Sequence, residues 1–228
     1  NMLLPSDSDL GTFIGRFFSS LQDVASRPDE LSARTVALEN GKALANSFNN
    51  YDNQLKNFKS STHKEVEDDL KVVNSLVDQL AQINKLIMSG GSKNSSPDIL
   101  DARDQLLLDL SKYINFTVDY GDSNDAKVRL GNSGNGKILL EKTDKSILSS
   151  DIQDGRLIFK ISKNALTSIN NDISSGLLFG AKNFYDFVGE VESEINQLAL
   201  RLSQNFNEIQ QNGIDLNGKK GLSMFSIN

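Results

Sequence analysis

Cysteine is absent from the 228 residues and histidine occurs once. A disulfide framework, a thiol nucleophile and a Cys/His zinc site are therefore excluded. Histidine catalysis could rest only on His63, which sits among Lys64, Glu65, Glu67, Asp68 and Asp69. No serine–histidine–acid arrangement follows from that setting. His63 reads as a residue on a solvated helix face, and Glu65 to Asp69 as a charged outer face paired with Lys64 and Lys71 at helical spacing. The segment Gly131-Asn132-Ser133-Gly134-Asn135-Gly136-Lys137 matches the first seven positions of a phosphate-binding loop. That chemistry needs a hydroxyl at the eighth position and a helix N-terminus behind the lysine. Here Ile138 follows, and Lys137-Ile138-Leu139-Leu140 has the look of a strand, so the segment is expected to be a hairpin loop.

Three further groups of carboxylates bear weighing. Asp119, Asp122, Asn124 and Asp125 are oxygen ligands close together, but a calcium loop counted from Asp122 would need glycine at Lys127 and glutamate at Ser133. A solvated turn is expected there. Asp215-Leu216-Asn217-Gly218 is a similar fragment, too short to be specific. Asp98, Asp101 and Asp104 step by three along one helix face beside Arg103, without the apolar pocket that separates two carboxyl pKa values. Asp98 and Asp101 are instead assigned to the helix dipole, and Arg103–Asp104 to interhelical ion pairs. No catalytic, cofactor-binding or metal-ligating residue emerges, and the chain reads as a non-enzyme that needs no cofactor.

Long apolar stripes dominate the organisation around these residues. Only three prolines and no tryptophan occur, and 38% of residues are hydrophobic, which suits long helices with few rigid turns. Leu10, Phe13, Ile14, Phe17, Leu21 and Val24 form one stripe with Ser8 as its N-cap. Pro28 fits the first turn of a second helix, followed by Asp29 and Glu30 at the positive end of its dipole. From there to Ser89 no proline intervenes. The stripe runs Leu31, Leu38, Leu44, Phe48, Tyr51, Leu55, Phe58, Val66, Leu70, Val73, Val77, Leu80, Ile83 and Ile87. Steps of three and four between Phe48 and Phe58 are coiled-coil spacing, and the steps of four through Thr62 to Val66 are a local stutter. One continuous helix would be about 90 Å long at ~1.5 Å per residue, and Gly41 is the place where it could split. Ser89-Gly90-Gly91-Ser92 ends it. Ser96-Pro97 then opens a third helix to about Tyr113, with Leu100, Leu107, Leu110 and Ile114 inward and the short loop implying an antiparallel return.

At Ile114 the period changes to two. Asn115 to Tyr120 alternates; Lys127–Leu130 and Lys137–Lys142 flank the glycine loop as a hairpin; Arg156–Ile161 closes the β segment after a turn at Gln153-Asp154-Gly155. Helix returns by Gly176, with Phe184, Val188, Val191, Ile195, Leu198, Leu202, Phe206 and Ile209 as its stripe and Gly213 as the C′ residue. The expected fold is α+β, mainly α: an elongated bundle of long antiparallel helices with an inserted small antiparallel β domain. Residues 1–113 form the first part of the helical shaft, 114–162 the β domain, and 163–228 the returning shaft and C-terminal turn.

The net charge of −6 and pI of about 4.9 argue against a nucleic-acid partner, which requires a clustered basic surface. No stretch approaches the ~18 apolar residues of a membrane span, the longest leucine run being Leu106–Leu108. No basic segment followed by an apolar core opens the chain.

Three stretches resemble the flagellar hook-associated protein 1 family of hook–filament junction proteins. Val72 to Ile87 leads to Asp98-Ile99-Leu100-Asp101-Ala102-Arg103-Asp104-Gln105-Leu106-Leu107, similar to that family's N-D-L-L-D-Q-R-D-Q-L-L signature with Ala102 in place of glutamine. Ser26-Arg27-Pro28-Asp29-Glu30 with Ala33-Arg34 resembles its N-P-x-D…A-R helix start. Phe206 to Gly218 resembles N-x-I-H-x-x-G-x-D-L-x-G, with Gln210 where histidine is common. The resemblance covers most of the chain and implies a central fragment lacking the terminal segments that pair into an inner helical coil. It also implies a structural subunit of the bacterial flagellar axis that joins hook to filament by self-assembly. Its partners would be the hook, the second junction protein and copies of itself, with an export chaperone for the full-length chain and no membrane or nucleic acid. Its location would be extracellular, on the flagellum, after type III export without a cleaved signal peptide. The fragment alone is expected to be monomeric. The alternatives from the residues are an extracellular helical sensor or ligand-binding module and, more weakly, a nucleotide-binding enzyme working through Gly131–Lys137.

Overall fold

The computed structural model describes residues 9–90, 96–162, 166–215 and 218–226. Its helices are α1 (Leu10–Ser26), α2 (Leu31–Gly90), α3 (Pro97–Ser111) and α4 (Leu177–Asn212). Between α3 and α4 lie β1 (Phe116–Tyr120), β2 (Ala126–Leu130), β3 (Ile138–Glu141), β4 (Asp144–Lys145), β5 (Ile147–Gln153), β6 (Arg156–Ser162) and β7 (Leu166–Ser168). Long helices with small antiparallel sheets are thus the observed class. The chain divides into two compact units, Asn1–Asn57 with Glu190–Asn228, and Phe58–Gly189.

In the first unit, α1 begins on Asp9, whose carboxylate accepts from the Thr12 N–H at 2.7 Å. Ser8, the expected cap, lies outside the described residues. Pro28 does not open α2. It occupies the second position of a turn closed by Glu30 N–H to Arg27 C=O at 3.2 Å, where its fixed φ is equally at home. Asp29 and Glu30 therefore precede α2 rather than sit in its first turn, and Glu30 pairs with Arg27 at 3.0 Å.

The helix α2 is continuous through Gly41 for all its 60 residues. Its first turns present a different face from the one expected: Leu31 and Leu38 are exposed, whereas Ala33 and Ala37 are buried; from Leu44, buried as expected, the stripe faces inward. Gly41 explains the rotation. A Cβ there would stand 3.2 Å from the Phe17 ring and 3.3 Å from the Met224 methyl. The small-residue face admits bulky neighbours that a leucine face would hold off. Phe17 is fully buried and meets Phe206 at 4.9 Å and Phe225 at 5.8 Å between ring centroids, within the range of favourable tilted pairs. Gly213 ends α4 by donating to Ile209 and Gln210 carbonyls at 3.1 and 3.2 Å, without the left-handed φ expected of it.

The second unit carries the β structure. Its strands form two antiparallel sheets in the orders β1-β2-β3-β4 and β5-β6-β7. The β5–β6 hairpin turns on Asp154 and Gly155, at φ 51° and 75°, with Gln153 paired to Arg156. Two consecutive positive φ values are what the favoured two-residue hairpin demands. β7 extends the β segment past residue 162, and helix resumes only at Leu177. The core joins Val66, Leu70, Val73, Val77 and Leu80 of α2 to Leu107 and Leu110 of α3, Val128, Leu139, Leu140, Leu157 and Phe159 of the sheets, and Leu178 and Tyr185 of α4. Thr62, where the stripe stutters, is buried as well.

The start of α4 rests on the end of α3. Leu177 and Leu178 N–H donate to the carbonyls of Lys112 and Tyr113 at 3.0 and 3.1 Å, so groups that helix ends leave unpaired satisfy one another. At α3's own start Ser96 contributes its carbonyl, at 3.0 Å from the Ile99 N–H, but no side-chain bond. The approach requires Gly176, at φ +89°, where a Cβ would fall 2.4 Å from the Tyr113 oxygen. Gly176→Ala is expected to lower stability by roughly 1–3 kcal/mol, the scale of a strained non-glycine backbone, read as a lower urea midpoint.

Candidate functional site

Among the described residues, those with catalytic or ligating types do not converge. Gly131–Lys137 is the β2–β3 hairpin loop: Leu130 N–H donates to the Lys137 carbonyl at 2.9 Å, and strand β3, not a helix, follows. A phosphate would find no helix N-terminus there. Asp119 lies in β1, paired with Lys127, while Asp122, Asn124 and Asp125 lie in the β1–β2 turn, with Gly121 N–H to Asp125 C=O at 2.9 Å and Asn124 at φ 68°. Asp125 is buried rather than solvated, its carboxylate laid against Gly121. Among the described residues no cluster of three His, Cys, Asp or Glu could hold a metal ion. His63 is half-buried on α2.

Arg103 pairs differently from the interhelical bridge expected of it. Its guanidinium meets the adjacent Asp104 on the same helix, donates to the Asn124 carbonyl at 2.9 Å, and lies 4.5 Å from the Tyr120 ring centroid. One buried cation thus fixes the β1–β2 turn against α3 by a hydrogen bond and a cation–π contact. Asp98 does stand in the first turn of α3, and Lys71 pairs with Asp68 at 2.7 Å.

What the side chains build instead is a set of asparagine clamps. Asn84 on α2, wholly buried, donates to the carbonyls of Ala126 and Lys142 at 2.7 and 2.8 Å and accepts the Ala126 N–H at 2.8 Å. Asn74, further back on α2, exchanges both bonds with Leu148 of β5 at 2.9 Å. Each carboxamide imitates the missing neighbour of a strand, using one acceptor and the amide donors together. Asn115 similarly accepts from Ser174 and Ser175 N–H while donating to the Asp172 carbonyl. In the first unit Asn207 accepts from Met224 and Phe225 N–H and donates to the Phe225 carbonyl at 2.8 Å. Sequence reasoning did not find these residues as anchors. Asn74, Asn84 and Asn207 do fall within the family-like stretches, which was the available signal.

Hydrogen bonds from Lys71, Lys112 and Lys160 hold Asp68, Asp109 and Asp151 below the usual carboxylate range. Their contribution is present above the unfolded pKa and fades as pH falls through the lowered folded values. Asp69 is the exception: partial burial, then Glu65 and Asp68, push its carboxyl up. Ionised Asp69 therefore opposes folding at neutral pH, and protonation relieves it. Asp69→Asn is expected to raise the urea midpoint at neutral pH, with the gain vanishing as pH drops through the raised value.

Apolar side chains remain open to solvent in both units. The first exposes Leu31, Leu38, Ile209, Ile214 and Leu222; the second exposes Phe58, Phe184, Phe187 and Leu108. The stripe of α4 is accordingly only partly used inside the chain: Val188 is buried, while Phe184, Leu198 and Ile209 are not. No helix among the described residues is long and apolar enough to cross a membrane.

Residues 1–225 match the family described as the flagellar hook-associated protein FlgK helical domain. The flagellar hook-associated protein 1 of Bacillus subtilis (strain 168) is 27% identical over 250 residues, covering 97% of this chain and 49% of its own length. That of Salmonella typhimurium is 27% identical over 237 residues, covering 100% of this chain and 42% of its own. The chain thus spans less than half the length of these relatives. Among solved structures, the flagellar hook junction protein FlgK from Burkholderia pseudomallei shares the fold with a TM-score of 0.81 at 23% identity, over 94% of this chain and 40% of that one.

Proposed function

The chain belongs to the family of the flagellar hook-associated protein FlgK helical domain, and from that premise we propose that it is the helical part of a structural subunit of the bacterial flagellar axis, joining hook to filament. The observation that carries this reading is the family match from residue 1 to residue 225. The subunit works by assembly, and the exposed leucines, isoleucines and phenylalanines of α2 and α4 supply apolar surface for protein–protein contact. Its partners are other axial proteins: the hook, the second junction protein and copies of the full-length subunit, with an export chaperone before assembly. It acts outside the cell, on the flagellum. The 228 residues alone are monomeric; the longer relatives contain parts that this chain does not span, and to those parts we assign the drive to polymerise.

Deleting the encoding gene in its own bacterium should leave hooks that carry no filament in electron micrographs, and the intact gene should restore filaments. Normal filaments in the deletion strain would overturn the assignment. Light scattering on residues 1–228 should report a monomer; stable rings or filaments would remove the claim about the missing drive to polymerise.

A further inference from the structure

The glycine-rich loop that resembles a phosphate site holds a different reactivity. Asparagine followed by glycine can close on itself. The backbone nitrogen of the glycine attacks the side-chain carbonyl carbon, a new C–N bond forms, and the amide nitrogen leaves as ammonia with the proton given up by the backbone. Water then opens the resulting succinimide at either carbonyl, giving aspartate or isoaspartate. The reaction needs an unengaged backbone nitrogen, a reachable carboxamide and freedom from helical backbone geometry.

Four Asn-Gly pairs occur: Asn40-Gly41, Asn135-Gly136, Asn212-Gly213 and Asn217-Gly218. Asn217 lies outside the described residues. Gly41 sits deep inside α2, where its N–H belongs to the helical ladder and the backbone is locked. Gly213 N–H donates to both Ile209 and Gln210 carbonyls, at 3.1 and 3.2 Å. Gly136 alone of the three described pairs has an N–H that donates to no acceptor among the described residues. Asn135 before it is exposed and lies in the hairpin loop between β2 and β3.

We propose that Asn135 is a site of spontaneous deamidation, favoured by the fold over Asn40 and Asn212. The product places a carboxylate two residues before exposed Lys137 and, as isoaspartate, lengthens the backbone of the β2–β3 loop by one methylene. The substitution Gly136→Ala is not a clean block, because a Cβ there would stand 1.7 Å from the Leu130 carbonyl oxygen. Asn135→Gln is clean, since the longer side chain disfavours the five-membered ring.

The test is incubation of the folded chain at mildly alkaline pH. Site-resolved mass spectrometry and methyl labelling by protein L-isoaspartyl methyltransferase then report the products. Asn135 should convert at least several-fold faster than Asn40 or Asn212, and Asn135→Gln should remove most of the isoaspartate label arising from these pairs. In urea-unfolded chain the three rates should draw together. Equal rates in the folded protein, or the same ranking with the same spread after unfolding, would overturn the proposal.

Discussion

Asn84→Ala is expected to destabilise the protein by about 3–5 kcal/mol. The wholly buried carboxamide makes three hydrogen bonds to backbone atoms of Ala126 and Lys142, and truncation strands the buried N–H and carbonyl of Ala126 and frees the part-buried carbonyl of Lys142. Each unsatisfied buried group costs roughly 1–3 kcal/mol, far more than the net worth of a typical bond. The readout is a lower urea midpoint at unchanged slope. Asn84→Asp keeps the acceptor but sets a carboxylate against two carbonyl oxygens, and should be no better at neutral pH. Asn53, exposed on the same helix, supplies the control: its alanine variant should stay within about 0.5 kcal/mol of the parent. If Asn84→Ala unfolded at the same urea concentration as Asn53→Ala, the clamp would have no energetic meaning.

Phe17→Ala is the second large effect, at about 3–5 kcal/mol for truncation of a fully buried phenylalanine. The ring stands among Phe18, Phe206 and Phe225, at centroid distances of 6.4, 4.9 and 5.8 Å, and against the bare Cα of Gly41. Hydrogen exchange should show the loss in α1 and in residues 218–226, whose anchors include Asn207. A smaller loss for Phe17→Leu, which refills part of the volume, would mark packing as the cause. Unchanged protection of α1 in Phe17→Ala would contradict this account.

Much of this fold is legible in the chain because period and punctuation agree. The stripe from Leu44 to Ile87 gives α2, the change of period at Ile114 gives β1, and Asp154-Gly155 gives the tight hairpin. β5 and β7 are not legible. β5 buries only Leu148 and β7 nothing, so neither shows the alternation of a half-buried strand. The first turns of α2 mislead for another reason. Leucine at 31 and 38 is the more hydrophobic choice, but the packed face is decided by Phe17 and Met224, which arrive from distant parts of the chain. The clamps are hidden most completely. Asn74 and Asn84 bind peptide groups of remote strands, and a peptide group has no identity that a sequence pattern can register. The hairpin at Gly131–Lys137 is legible too, because Ile138-Leu139-Leu140 after the loop has the composition of a strand and forms β3.

The handshake between α3 and α4 has one more consequence. Lys112 and Leu177, where the helical path is left and rejoined, are held 3.0 Å apart by a single peptide hydrogen bond. Everything between them is a detour that starts and finishes at one doorway. Lengthening a detour whose ends are already joined costs little, because closure entropy grows only with the logarithm of its length. Insertions at the exposed turns of that detour, such as Asp154-Gly155, should therefore cost the α3–α4 joint little, so long as the strands that share its core are kept.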